Sequence, residues 1–248
     1  SAAFAGQASS MALASVNVNP QMPLWPVTSP EHPRPQVAMQ HQLGDGGNLE
    51  NTGVLPVLQR GASRVVSMIN SDTPTSTDAN FCGASVTDDP NGQITSQFAQ
   101  LFGYCKQATA STFNTHNQVF RQEDFWPIAC RLQTLKKAGK AQVAIARLTV
   151  QPNAWWGIQG GGAVMVIFSL LDKASDFESQ LPEETRQALA VGPIGGLGSF
   201  PNYRTMFNNI NDLTQLTARQ INLLSAQTDW AVTQNQTTFQ AFFGAPLR

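Results

Sequence analysis

The chain has 248 residues, of which 42% are hydrophobic, 8% aromatic and only 12% charged, with a formal net charge of −1. That apolar share supports a sizeable core and excludes disorder over most of the chain; the length suits one large α/β domain or two small ones. The charged share is about half the usual 25%, so the expected surface is polar through Asn, Gln, Ser and Thr, and no net field draws in nucleic acid or an anionic membrane.

In chain order, the Ala- and Ser-rich stretch 5–17 suits a short helix. Pro20, Pro23, Pro26, Pro30, Pro33 and Pro35 then stop regular structure, which makes 1–36 a lead-in segment. Residues 37–232 form the expected core. The turn-like Gly44–Gly47 is followed by a short helix around Val54–Arg60, with Gly61 as its C-cap. Residues 63–70 are short, β-branched and apolar, as a buried strand requires. Ile94, Phe98, Leu101 and Phe102 share a helical face, and Glu123–Lys140 is a stronger helix with acids first and bases last. Lys136, Lys137 and Lys140 are the basic cluster of that helix end, where cations suit the dipole. Val143, Ile145, Leu148 and Val150 alternate as a strand does, and Ala163–Leu171 is fully apolar. A helix opens at Pro182 with Glu183 and Glu184; Val191–Ser199 is a Gly-rich loop. Leu216, Leu223 and Trp230 recur every seven residues along a last long helix over 214–232, leaving 233–248 as a C-terminal tail. Strands alternating with helices predict an α/β fold with a largely parallel sheet.

Cys82, Cys105 and Cys130 include no Cys-x-x-Cys pair, and His32, His41 and His116 have no ligand-like spacing, so neither a metal nor another cofactor is expected. One disulfide, for instance Cys82 with Cys105, would leave a thiol over; three free thiols fit the spacing equally. No run of about 18 apolar residues crosses a bilayer, and a soluble protein is expected. The start Ser1-Ala2-Ala3-Phe4-Ala5 has neither an initiator Met nor a basic n-region, which suggests a processed or trimmed chain.

The segment richest in chemistry is Leu43-Gly44-Asp45-Gly46-Gly47-Asn48-Leu49-Glu50-Asn51-Thr52-Gly53-Val54-Leu55-Pro56-Val57-Leu58. Glycines around one acid allow a sharp backbone path, and Asn48, Glu50 and Asn51 can fix the loop by bonds to its backbone. An acid held at such a turn projects rigidly into a cleft; an ordinary Asp-Gly turn is the plain alternative. The run Gly44-Asp45-Gly46-Gly47, with Glu50-Asn51-Thr52-Gly53 and Leu55-Pro56-Val57-Leu58-Gln59-Arg60-Gly61, resembles the catalytic-aspartate segment of the patatin and cytosolic phospholipase A-two superfamily. Asn153-Ala154-Trp155-Trp156-Gly157-Ile158, Phe200-Pro201-Asn202-Tyr203 and Leu223-Leu224-Ser225-Ala226-Gln227-Thr228-Asp229-Trp230 are similar to its cytosolic branch, in the same order.

The resemblance implies the C-terminal half of a three-layer α/β/α patatin-like domain. It implies a phospholipase or lysophospholipase, a hydrolase of lipid degradation that works through a Ser-Asp dyad on a lipid substrate in peripheral contact with a membrane. Asp45 would be the base, and Gly44, Gly46, Gly47 and Asn51 its supporting loop. The family's serine sits in a Gly-x-Ser-x-Gly elbow, and this sequence has none. Three explanations stand. An N-terminal fragment of the same precursor carries the serine; Ser1 is itself a nucleophile; or the chain is a catalytically inactive structural or interaction protein, for which a neutral, amide-rich surface favours close association, a homo-oligomer included.

Gln159-Gly160-Gly161-Gly162 precedes a strand instead of following one, and Gly192-Pro193-Ile194-Gly195-Gly196-Leu197-Gly198 lacks the lysine and hydroxyl of a phosphate loop. Both read as loops near a site. Of Trp155 and Trp156, at least one is expected in the core.

Overall fold

The computed structural model describes residues 21–24, 37–42, 50–70, 73–104, 116–191, 197–203 and 216–244. In chain order the elements are β1 (Gln21–Leu24), β2 (Met39–Gln42), α1 (Val54–Gln59), β3 (Arg64–Asn70), α2 (Ser96–Gln100), α3 (Phe125–Lys137), β4 (Gln142–Thr149) and β5 (Ala163–Leu171). The helices α4 (Ser175–Glu178), α5 (Glu183–Ala190), α6 (Ala218–Gln234) and α7 (Gln236–Gly244) follow. The chain is thus a mixed α/β protein. Among the described residues, no helix is long and apolar enough to cross a membrane.

The most apolar run takes the most enclosed place. β5 is the middle of a sheet ordered β3-β5-β4, and its Val166, Ile167 and Phe168 are all fully buried. A strand covered on both faces cannot alternate, so it reads as a continuous hydrophobic stretch. One face carries Val65, Ile69, Ala144, Val166 and Phe168 under α1, α2 and α3; the other carries Val143 and Ile167 under Phe239 and Phe242 of α7 and Trp230 of α6. Helices therefore cover both faces. The first face is dominated by rings: Phe98 lies 5.0 Å from Phe168 and 5.2 Å from both Phe102 and Phe125, centroid to centroid. Offset and edge-on pairs of this kind contribute about 0.5–1.5 kcal/mol each beyond the area they bury.

The sheet is not largely parallel. β3 and β5 run parallel, with Val65 opposite Val166 and Ile69 opposite Leu170, but β4 and β5 are antiparallel, with Ala144 opposite Phe168. The reason lies between them. A parallel return needs a crossover of a dozen or more residues, usually helical; here 150–162 folds into turns. Val150 N–H donates to Gly162 O at 2.9 Å, Gly161 N–H donates to Val150 O at 2.8 Å, and Asn153 bridges Ile158. β3, separated from β5 by α2, α3 and β4, has chain enough for the parallel arrangement.

Three further expectations are corrected or refined. The proline-rich lead-in does hold regular structure, because Gln21–Leu24 pairs antiparallel with Met39–Gln42, placing Pro23 opposite Gln40; a two-stranded ribbon is all edge, where proline is tolerated. Residues 233–248 include α7, whose Phe239 and Phe242 are buried beside Ile167. The disulfide joins Cys82 to Cys130, not to Cys105. Cys130 lies on α3, and that helix packs against the short turn Phe81–Gly83, which brings the two Cα atoms to 4.7 Å. Cys105 lies outside the described residues.

α3 shows how local rules set one element. Its Pro127 sits in the first turn, where a missing N–H costs nothing, and Phe125, Trp126, Ile128, Ala129 and Leu132 bury one face. It stops at Gly139, in the left-handed region at φ 74°. A side chain there would collide with Ser175 and Asp176, so only glycine lets α4 lie against the helix end.

The disulfide closes a sequence separation of 48 residues, for which chain entropy gives about 4 kcal/mol and experience about 2–4. Reduction should therefore lower the free energy of denaturant unfolding by about 2–4 kcal/mol. An unfolding midpoint unmoved by dithiothreitol would contradict this.

Candidate functional site

Gly44, Asp45, Gly46 and Gly47 lie outside the described residues, as does the Gly-rich stretch 192–196. Asn51 is exposed in the bend before α1. What the structure does describe is the scaffold that follows that run in the chain. The Glu50 carboxylate accepts from Thr52 N–H and from Gly53 N–H, the latter at 2.8 Å, and it also takes the Thr52 hydroxyl. These bonds fix the bend that leads into α1, on the two residues ahead of its first residue, Val54. Gly53, at φ 70°, turns the chain into α1, whose Val54 and Leu55 are fully buried. The buried Ser67 of β3 donates to Thr52 O at 3.0 Å. The route from Glu50 through α1 to β3 is therefore fixed at both ends.

A second polar assembly sits at the carboxyl edge of β3 and β5, the side of a parallel pair where ligands of α/β proteins collect. Asp172 follows β5 directly and its side chain is 3% exposed. Lys136 Nζ, from the last turn of α3, donates to Asp172 Oδ1 at 2.9 Å and Oδ2 at 2.8 Å. Thr75 N–H donates to Oδ2 and Lys173 N–H to Oδ1, each at 2.7 Å. Around this pair, Thr75 Oγ1 donates to Gln142 Oε1 of β4, and Gln227 Nε2 of α6 donates to Asp172 O. Gln133, also on α3, donates to Ser76 O and Ala79 O at 2.7 Å each. One carboxylate thus ties α3, β5 and the 73–80 loop together, while its main chain holds α6.

Two clefts meet at Asp172. One, of about 370 Å³, lies between the ends of β3 and β5 and α6; the other, of about 740 Å³, is lined by Lys136, Asp172, Lys173, Ser175, Ser199 and Asn202. Ser199 occupies the left-handed region at φ 76°, which costs a residue with a Cβ about 1–2 kcal/mol. Next to it, Phe200 packs on Tyr203, whose hydroxyl is buried without a partner among the described residues. Burial holds the Tyr203 phenol up at about 12. Burial also raises Tyr104, against the opposing hydrogen bond from Trp126.

Both oxygens of Asp172 are fully committed to donors. A general base must offer a free lone pair to an incoming proton, so Asp172 clamps the edge and performs no proton transfer. Its signal was present in the sequence as an acid set immediately after an apolar strand. Lys136, assigned only to the helix dipole, is in fact the partner of a buried charge. Gln133, Gln142 and Gln227 carried no local signal. Trp156 packs on the core and donates to Asn117 Oδ1 at 3.1 Å, while Trp155 is 47% exposed and stacks on His116 at 5.0 Å. Asn153 orders this turn, donating to His116 O and Gln118 O.

Comparison with protein-family models, with curated proteins and with solved structures gives no match to this chain.

Lys136→Met should leave the Asp172 carboxylate buried and unpaired, and lower stability by about 3–5 kcal/mol; chemical denaturation with an unchanged midpoint would contradict the clamp. The folded phenol of Tyr203 lies above its ordinary value of 10.0, so the folded state holds that proton more tightly. Its contribution to stability is full below pH 10 and is lost as pH rises toward about 12. With two tyrosines in the chain, absorbance titration at alkaline pH should show both ionising above 10, and Tyr203→Phe should remove the later step and flatten the stability loss. Ionisation of either group at its ordinary value while the protein remains folded would contradict its burial.

Proposed function

We propose that this chain is the aspartate-bearing part of a phospholipase- or lysophospholipase-type lipid acyl hydrolase with a patatin-like domain. The observation that supports it is the tethered route from Glu50 through α1 to β3, which follows the Gly44-Asp45-Gly46-Gly47 run in the chain. Rigid support beside it is what a catalytic carboxylate needs. The mixed sheet with helices on both faces is compatible with the fold.

In this proposal Asp45 accepts the proton of a serine hydroxyl as the oxygen attacks the ester carbonyl. Backbone N–H groups stabilise the oxyanion, the lysophospholipid or glycerophosphodiester alkoxide leaves with the proton that Asp45 took, and water, deprotonated by Asp45, then releases the fatty acid from the acyl-serine. The serine comes from an N-terminal fragment of the same precursor, because none of the 248 residues lies in a Gly-x-Ser-x-Gly elbow. No metal or cofactor takes part.

Asp45→Asn should abolish ester hydrolysis by the purified assembly while leaving its circular dichroism and unfolding midpoint unchanged. Hydrolysis retained by that variant excludes Asp45 from the chemistry. Absence of activity in the unmodified assembly favours the alternative, an inactive interaction protein built on the same fold.

A further inference from the structure

The smaller cleft has a feature that the clamp does not explain. Gln142 and Gln227 both line it and are 2% and 3% exposed. Each amide is oriented by one bond: Gln142 Oε1 accepts from Thr75 Oγ1 at 2.8 Å, and Gln227 Nε2 donates to Asp172 O at 2.6 Å. The other atom of each, Gln142 Nε2 and Gln227 Oε1, is buried without a partner among the described residues. Leaving a buried donor and a buried acceptor unmade is costly, and the two are of opposite kind beside one cavity. The rest of the lining is largely apolar, from Met68, Leu170, Ile221 and Leu224. Met68 and Ile221 are 47% and 51% exposed. The ionised side chain of the lining, Asp172, is matched by Lys136, so the wall offers little to a charged head.

We propose that the cleft between the carboxyl ends of β3 and β5 and helix α6 binds a neutral amphiphile, a short alkyl chain ending in a hydroxyl or primary amide group. Such a group both donates and accepts: with a small shift that bares the two amide ends to the cleft, its oxygen takes Gln142 Nε2–H, and its O–H or N–H reaches Gln227 Oε1. A carboxylate would set its lone pairs against the Gln227 oxygen, and an ammonium would leave the Gln142 donor unmatched. At 370 Å³, with on the order of 30 Å³ per heavy atom by analogy with liquid water, the site has room for a ligand of up to about twelve heavy atoms. The chain lies along the methionine, leucine and isoleucine side chains, which supply the apolar contact usual for small-molecule sites.

The test is isothermal titration of the full 248-residue chain with 1-octanol, octanamide, octanoate at pH 8 and octylammonium, all below their micelle concentrations. The two neutral ligands should bind at least tenfold more tightly than either ion. Gln142→Met and Gln227→Met should each weaken 1-octanol by five- to tenfold. Ser225→Trp, at an exposed position on the cleft's rim, should abolish binding without touching either amide, and it serves if a glutamine variant fails to fold. Ions binding as well as the alcohol, no binding up to the solubility limit, or folded variants that bind like the unmodified chain would each overturn the proposal. Binding is read on this chain alone and without turnover, so failure here leaves the acyl-hydrolase proposal standing.

Discussion

The buried ion pair of Asp172 and Lys136 is the constraint on which the carboxyl edge of the sheet depends. A carboxylate 3% exposed is tolerable only when its charge is matched and its lone pairs are filled, and here lysine, Thr75 N–H and Lys173 N–H do both. The geometry cannot be met piecemeal. α3 must end where Lys136 reaches back, the 73–80 loop must present Thr75, and β5 must stop at Leu171. Gln133 and Gln227 then hold the loop and α6 to the same point. Such pairs add little net stability over an apolar substitute, but they penalise every arrangement that separates the partners.

The aromatic face does the complementary work without direction. Phe98, Phe102, Phe120, Phe125 and Phe168 are fully buried together, and they fix how far α2 and α3 stand from β5. α1 enters the same cluster through Val54, Leu55 and Leu58. The helix that follows the Gly44–Gly47 run in the chain is therefore part of the main core and not a loose surface element. The Glu50 bonds to the bend before α1 and the bond from Ser67 hold it in place. Polar clamp and apolar core thus act at the carboxyl edge and along one face of the same sheet: the first shapes two clefts, the second anchors α1.

What could be read from the sequence follows from what is local. β3 and β5 emerge as apolar runs, α1 from its closing glycine, and the buried positions Ile94, Phe98, Leu101 and Phe102 from periodicity, because run and period record which faces are covered. Pairing direction is not recorded there: the alternation in β4 is the same whether its neighbour runs parallel or antiparallel, and the turns of 150–162 decided it. Cys82 with Cys130 depends on where α3 crosses the Phe81–Gly83 turn, which spacing cannot supply. The glutamine network is tertiary in the same sense, since an amide shows its partner only after the chain folds. Of the proposed site, the flanking scaffold was legible through Glu50, Gly53 and the apolar start of α1, whereas the clamp residue Asp172 was visible only as an acid at a strand end.

The functional account joins a resemblance carried by the Asp45 segment to a scaffold suited to hold a catalytic carboxylate. Its central claim is that the nucleophile belongs to another polypeptide of the assembly. Peptide mapping after labelling of the purified assembly with a fluorophosphonate tests that claim most directly. The account predicts one modified serine, within Gly-x-Ser-x-Gly, on a polypeptide other than this chain. A label on Ser1 or any other serine of this chain, or no labelled serine at all, would contradict it.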